Sequence, residues 1–205
     1  MNLSDTIIWY ILAIPALIIA STVHEYSHAL VAFKLGDATA KANGRLTLNP
    51  LSHIDPIGAI SMILFHIGWS KPVPINEYNF QNPVWGTALV SIAGPISNII
   101  LAVISALIYK LIPVTSFFSS ILLVFITINI SLGVFNLIPI PPLDGSKILR
   151  AFLPRGIRYY WEKSERFIPI IFLLLFILPF SPLSSLTSNL IGNALDFFLR
   201  ILGIS

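Results

Sequence analysis

The sequence predicts an all-α membrane protein: a polytopic helical bundle built on a three-helix core, with a short membrane-associated β or re-entrant segment. Three observations predict it. Hydrophobic residues make up 56% of the 205 and charged residues only 10%, with a mean hydropathy of +0.86, whereas soluble domains are about 25% charged. Apolar runs near 7–33, 84–112 and 117–138 are each long enough to cross a hydrocarbon layer of roughly 30 Å. Between the first two lies a polar, proline-rich segment, 34–84, that interrupts the pattern.

Composition narrows the class further. So few charges cannot cover a soluble globule. The start has no basic region followed by a small-residue cleavage site, so it does not read as a secretory leader. There is no cysteine, which excludes disulfides and thiolate-bound metal. The net charge of +3 resides in loops without interleaved aromatics, so no nucleic-acid partner is expected; the expected partner is the lipid bilayer.

The first helix is expected over 7–33, with Ser4 or Asp5 as its cap, Trp9 and Tyr10 at an interface, and Gly36 as its stop. Arg45-Leu46-Thr47-Leu48 alternates polar and apolar and reads as a short strand before Asn49-Pro50. Its edge would suit pairing with an unwound peptide. Residues 56–67 are apolar but too few to span, which suits a re-entrant piece. In the second helix, Gly94 lets another backbone approach, and Asn98 places an amide at depth. The third helix carries Asn129 and Asn136 and is stopped by Pro139, Pro141 and Pro142. A fourth apolar run covers 167–180. A fifth, 186–204, contains Asp196 and Arg200 and either spans or lies at the interface. The whole is read as one domain, 1–205, with a core over about 7–150 and C-terminal helices over about 160–204.

Charge sets the orientation. Segments 34–84 and 139–166 hold ten of the twelve Lys and Arg, which places both in the cytoplasm of a multi-pass cell-membrane protein. Segment 34–84 then starts and ends on one side, as a re-entrant 56–67 requires.

Inside the first helix stands His24-Glu25-Tyr26-Ser27-His28. Ionisable groups in an apolar helix are costly, and an idle trio there is correspondingly hard to explain. His24 and His28, at i and i+4, share a face and can hold one metal ion, with Glu25 beside them as a general base. Trp9 to His24 is 15 residues, about 22 Å of helix, so the histidines lie below the far surface. Asp144, on the proline-rich segment at the inner end of the third helix, is the best third ligand. His53 and Asp55 are alternatives, although their Asn-Pro/Asp-Pro loop favours turn capping. His66 reads as interfacial. Asn136 and Asn98 are candidate substrate-binding residues, and Asn129 is expected to join helices. Such a set suits metal-assisted hydrolysis. The other readings are a catalytically silent metal-binding scaffold or a small transporter, but Glu25 is present and no paired halves are visible.

Three motifs in order, over about 20–150, resemble the site-2 protease family of intramembrane zinc metalloproteases. They are His24-Glu25-x-x-His28, Ala93-Gly94-Pro95-Ile96-Ser97-Asn98, and Asn136-x-x-Pro139-x-Pro141-x-x-Asp144-Gly145. Asn49-Pro50-Leu51-Ser52-His53-Ile54-Asp55-Pro56 and Lys71-Pro72-Val73-Pro74 are similar to its small prokaryotic branch. The resemblance implies one Zn2+ per chain held by His24, His28 and Asp144, with Glu25 as catalytic base. It also implies transmembrane protein substrates, often anchored transcriptional regulators, cut near the cytoplasmic side in regulated intramembrane proteolysis. Relative to better-studied members, no PDZ insertion, no appended nucleotide-sensing domain and no extra span before the His-Glu helix are expected.

Overall fold

The computed structural model describes residues 3–65, 69–113, 116–165, 167–168 and 182–204. Eight α-helices occur among them: α1 (Leu3–Lys34), α2 (Thr39–Ala42), α3 (Pro56–Phe65), α4 (Pro83–Tyr109), α5 (Phe117–Asn136), α6 (Asp144–Phe152), α7 (Arg155–Ser164) and α8 (Pro182–Ile201). Three stretches are long and apolar enough to cross a membrane: Ile8–Lys34, Pro83–Tyr109 and Phe117–Asn136. They match the three expected spans, and the chain is an all-α membrane protein. The expected run at 167–180 and His66 fall outside the described residues, apart from Phe167 and Ile168.

The helix ends have local causes. After Lys34, Gly36 takes a φ of 105°, open to glycine, and the Asp37 N–H returns to the Ala32 carbonyl at 2.9 Å. Helix α4 begins with Asn82 accepting from the Trp85 N–H, followed by Pro83 in the first turn. Ser116 caps α5 by accepting from the Ser119 N–H.

Helices α1, α4 and α5 pack together. Their register is fixed by contacts pairing Ala20 with Asn98, His28 with Val90, and Asn98 with Asn129. With Gly133 of α5 lying against the Pro95 carbonyl as well, helix α4 runs antiparallel to both α1 and α5. Ala102, Ala106, Ile126 and Ile130 form one buried core, onto which Leu195, Phe198 and Leu199 of α8 pack. Helix α8 thus docks on the bundle and is not among the helices apolar enough to span. At the other end, Ala29 and Ala40 pack with Val73, and Ala32 and Val90 pack with Phe80. Segment 34–84 therefore covers the ends of α1 and α4 near the histidines.

The β expectation is corrected. Among the described residues there is no strand, only one antiparallel bridge between Ile54 and Ser70. Residues 45–48 alternate in pattern but pair with no strand among the described residues. The polar groups of Thr47 are instead satisfied locally: its carbonyl accepts from His53 Nε2 at 2.8 Å, and its Oγ1 accepts from the Asn49 N–H at 3.1 Å. Residues 56–65 form a helix of 10 residues, about half the length that a bilayer core demands.

Candidate metal centre

One helix turn of α1 brings the two imidazoles together, with ring centroids 4.6 Å apart. Helix α6 brings the carboxylate. Asp144 is its first residue, and it is held against the end of α5 because residue 145 is glycine. A Cβ on Gly145 would lie 2.2 Å from the Leu137 carbonyl oxygen. Asp144 Oδ2 lies 3.1 Å from His24 Nε2 and 3.2 Å from His28 Nε2. All three residues are buried, and they form the one three-residue metal-ready cluster among the described residues. Lys147 Nζ stands 3.9 Å from Asp144 Oδ1.

The surroundings of the histidines select which nitrogen faces the carboxylate. Asn98 Nδ2 donates to the Ala20 carbonyl and to Asn129 Oδ1, so its amide oxygen faces His24 Nδ1, at 2.7 Å. His28 Nδ1 lies 2.7 Å from the Val90 carbonyl, which can only accept. Both Nδ1 atoms therefore carry the proton, and both Nε2 lone pairs point toward Asp144. Gly94 provides the space. A Cβ there would sit 2.6 Å from both rings. The sequence reading had another backbone occupying this space; two side chains occupy it instead.

Burial raises the cost of charge on Asp144. A cation shared by the two imidazole nitrogens and the carboxylate would offset that cost. The residues fit a zinc ion. Two imidazole nitrogens and one carboxylate oxygen form a common hydrolytic donor set, and donors sharing a tetrahedral ion with bonds near 2.0 Å lie roughly 3.3 Å apart.

Glu25, on the next residue of α1, is buried. It accepts from Ser70 Oγ at 2.5 Å on Oε1 and from the Val73 N–H at 3.1 Å on Oε2. Sequence reading missed both donors. Asn98 is fully buried and its amide is committed to His24, Ala20 and Asn129, so it borders a histidine and not open space. Asn129 does join helices, as expected. Asn136 is half-buried at the end of α5, and its Nδ2 donates to the Leu132 carbonyl. His53 and Asp55 lie outside the metal-ready cluster: His53 bonds Thr47, and Asp55 Oδ1 accepts from the Gly58 N–H.

An apolar bundle carrying a preformed His, His, Asp cluster with an adjacent buried glutamate defines a membrane protein of the metallohydrolase type. Comparison with known proteins agrees. The profile described as Peptidase family M50 matches residues 108–178. YwhC of Bacillus subtilis, provisionally named a zinc metalloprotease, is 42% identical over 176 residues, covering 80% of this chain and 78% of YwhC. Rip2 of Mycolicibacterium smegmatis, also provisionally named a zinc metalloprotease, is 30% identical over 150 residues, covering 70% of this chain and 58% of Rip2. The zinc metalloprotease MJ0392 of Methanocaldococcus jannaschii is 29% identical over 164 residues, covering 80% of this chain and 40% of that protein. No solved structure gives a significant match. The chain belongs to peptidase family M50.

Proposed function

We propose that the chain is an intramembrane zinc metalloprotease that hydrolyses peptide bonds in transmembrane segments of membrane-anchored proteins, as in regulated intramembrane proteolysis. The observation that carries this reading is the convergence of His24 Nε2 and His28 Nε2, on the apolar helix α1, with Asp144 Oδ2 at the start of α6, beside Glu25. The names of the relatives support zinc and proteolysis.

In this reading His24, His28 and Asp144 hold one zinc ion. When bound, zinc supplies Lewis acidity, polarising the scissile carbonyl and acidifying a water molecule. Glu25 takes the proton from the attacking water and passes it to the leaving amine. Asn98 and Val90 keep His24 and His28 in the ligating tautomer. Asn136 offers its amide oxygen to a substrate N–H, and Asn98 acts on substrate only through His24. An apolar groove of about 310 Å³ between α1 and α5, lined by Trp9, Leu17, Ser131 and Phe135 among others, supports entry of an apolar chain.

The protein is multi-pass in the cell membrane as one domain, with the site toward the cytoplasm. Support comes from the ten Lys and Arg in 34–84 and 139–166, the two segments that flank the site.

The test is cleavage of a single-span membrane reporter by wild type and Glu25→Gln, with bound zinc measured in both. The expected result is retained zinc and a loss of at least about 10²-fold in rate. Equal cleavage by the variant overturns the reading.

A further inference from the structure

Glu25 is gripped by a segment that lies outside the helices and the three motifs. The Ser70 hydroxyl donates to one carboxylate oxygen, and the Val73 N–H donates to the other. We propose that Ser70 is a positioning residue that, together with the Val73 backbone, fixes the plane of the Glu25 carboxylate for proton transfer. The proposal rests on Glu25 being the base.

The terminal torsion of a glutamate is broad and roughly two-fold, so packing alone holds it poorly. Donors on both oxygens remove that freedom. They also offset the cost of burying a carboxylate. Each oxygen keeps a further acceptor direction, so a water can still be engaged.

The donors are useful only if they are themselves fixed, and the 69–74 segment is tied at several independent points. Arg45 Nη2 donates to the Lys71 carbonyl at 2.5 Å, and the Lys71 N–H donates to the His53 carbonyl at 2.8 Å. Ser70 itself pairs with Ile54 across the one bridge. The Trp69 backbone presses on α3 where residue 58 is glycine; a Cβ there would stand 2.2 Å from the Trp69 carbonyl oxygen. Val73 is buried against Ala29 and Ala40. Pro72 and Pro74 restrict the backbone on either side of it.

Arg45 strengthens the case. It is buried, yet no carboxylate pairs with it among the described residues, and its hydrogen bond goes to a backbone carbonyl one residue from Ser70. A buried cation without a counter-charge is costly. Its placement makes structural sense as an anchor for the strap that reaches Glu25.

The experiment uses the full-length zinc-loaded protein in liposomes, the same single-span reporter, and Ser70→Ala, Ser70→Thr and Glu25→Gln. For Ser70→Ala the expected result is a kcat about tenfold to a hundredfold lower, the scale for misplacing a catalytic group by about an ångström. KM should stay within twofold and bound zinc should be unchanged. Ser70→Thr, which keeps the hydroxyl, should recover most of the rate. The Glu25 carboxylate stretch, isolated as the infrared difference between wild type and Glu25→Gln, should shift in Ser70→Ala even with zinc removed. A Ser70→Ala kcat within twofold of wild type, an unshifted band, or loss of zinc from that variant each overturns the proposal. Equal cleavage by Glu25→Gln instead overturns the protease reading itself, whatever Ser70 does.

Discussion

Asn98 Oδ1 and His24 Nδ1 are 2.7 Å apart, and this contact decides which face of the imidazole meets Asp144. The asparagine cannot turn round, because its Nδ2 already donates to Ala20 and Asn129. Asn98→Ala is therefore expected to weaken zinc binding about 10- to 100-fold. Asn98→Asp, which keeps an acceptor, should lose less. Zinc retention under graded chelator competition reads both. Equal retention in wild type and Asn98→Ala would show that the contact does not support the ligand.

Gly94→Ala tests the space beside the rings. The added Cβ would meet both imidazoles at 2.6 Å, inside van der Waals contact. Overpacking of this kind costs about 1–3 kcal/mol. Because the rings must give way, zinc should be lost with helical content preserved. Circular dichroism and metal analysis on one sample separate the two effects.

Asp144→Ala and His53→Gln form a contrasting pair. Asp144 supplies the carboxylate of the cluster, whereas His53 bonds the Thr47 carbonyl. Asp144→Ala should abolish stoichiometric zinc and His53→Gln should keep it. Zinc lost from both variants alike would return His53 to the list of ligands.

Asp37 anchors the turn after α1. Burial opposes its charge, but hydrogen bonds from Thr39, Asn76 and Asn79 prevail and hold its carboxyl below the ordinary 3.8. A depressed folded-state value means that this group stabilises the fold above about pH 4 and that its contribution fades as pH falls through the folded value. Asp37→Ala should lower stability at pH 7 by at least about 2 kcal/mol, the scale of hydrogen bonds to a charged group. It should also flatten the acid limb of thermal stability in detergent. An unchanged acid limb would place the acid sensitivity elsewhere.

The spans were legible in the sequence because hydropathy over twenty residues has few competing explanations, and the histidines because i and i+4 fall on one helical face whatever surrounds them. Asp144 was readable through its proline-rich run. The partners of these residues were not. That Asn98 meets His24 depends on the register between α1 and α4, which no local pattern encodes. Ser70 and Val73 act through a hydroxyl and a backbone N–H in a loop, and neither has a distinctive signature. The alternation at 45–48 suggested a strand, but a strand needs a neighbour, and the Thr47 carbonyl found His53 instead.

His24 and Asp144 are 120 residues apart in sequence. A bond shared between them through one ion closes a very long loop of chain. Loop-closure entropy grows with length, though only slowly. The ion would therefore be a fastener of topology as well as a reagent, joining the start of the bundle to the helix that follows its third span. Removing it should loosen the 137–144 crossing before any membrane helix melts, so that zinc status can be read from protease nicking there.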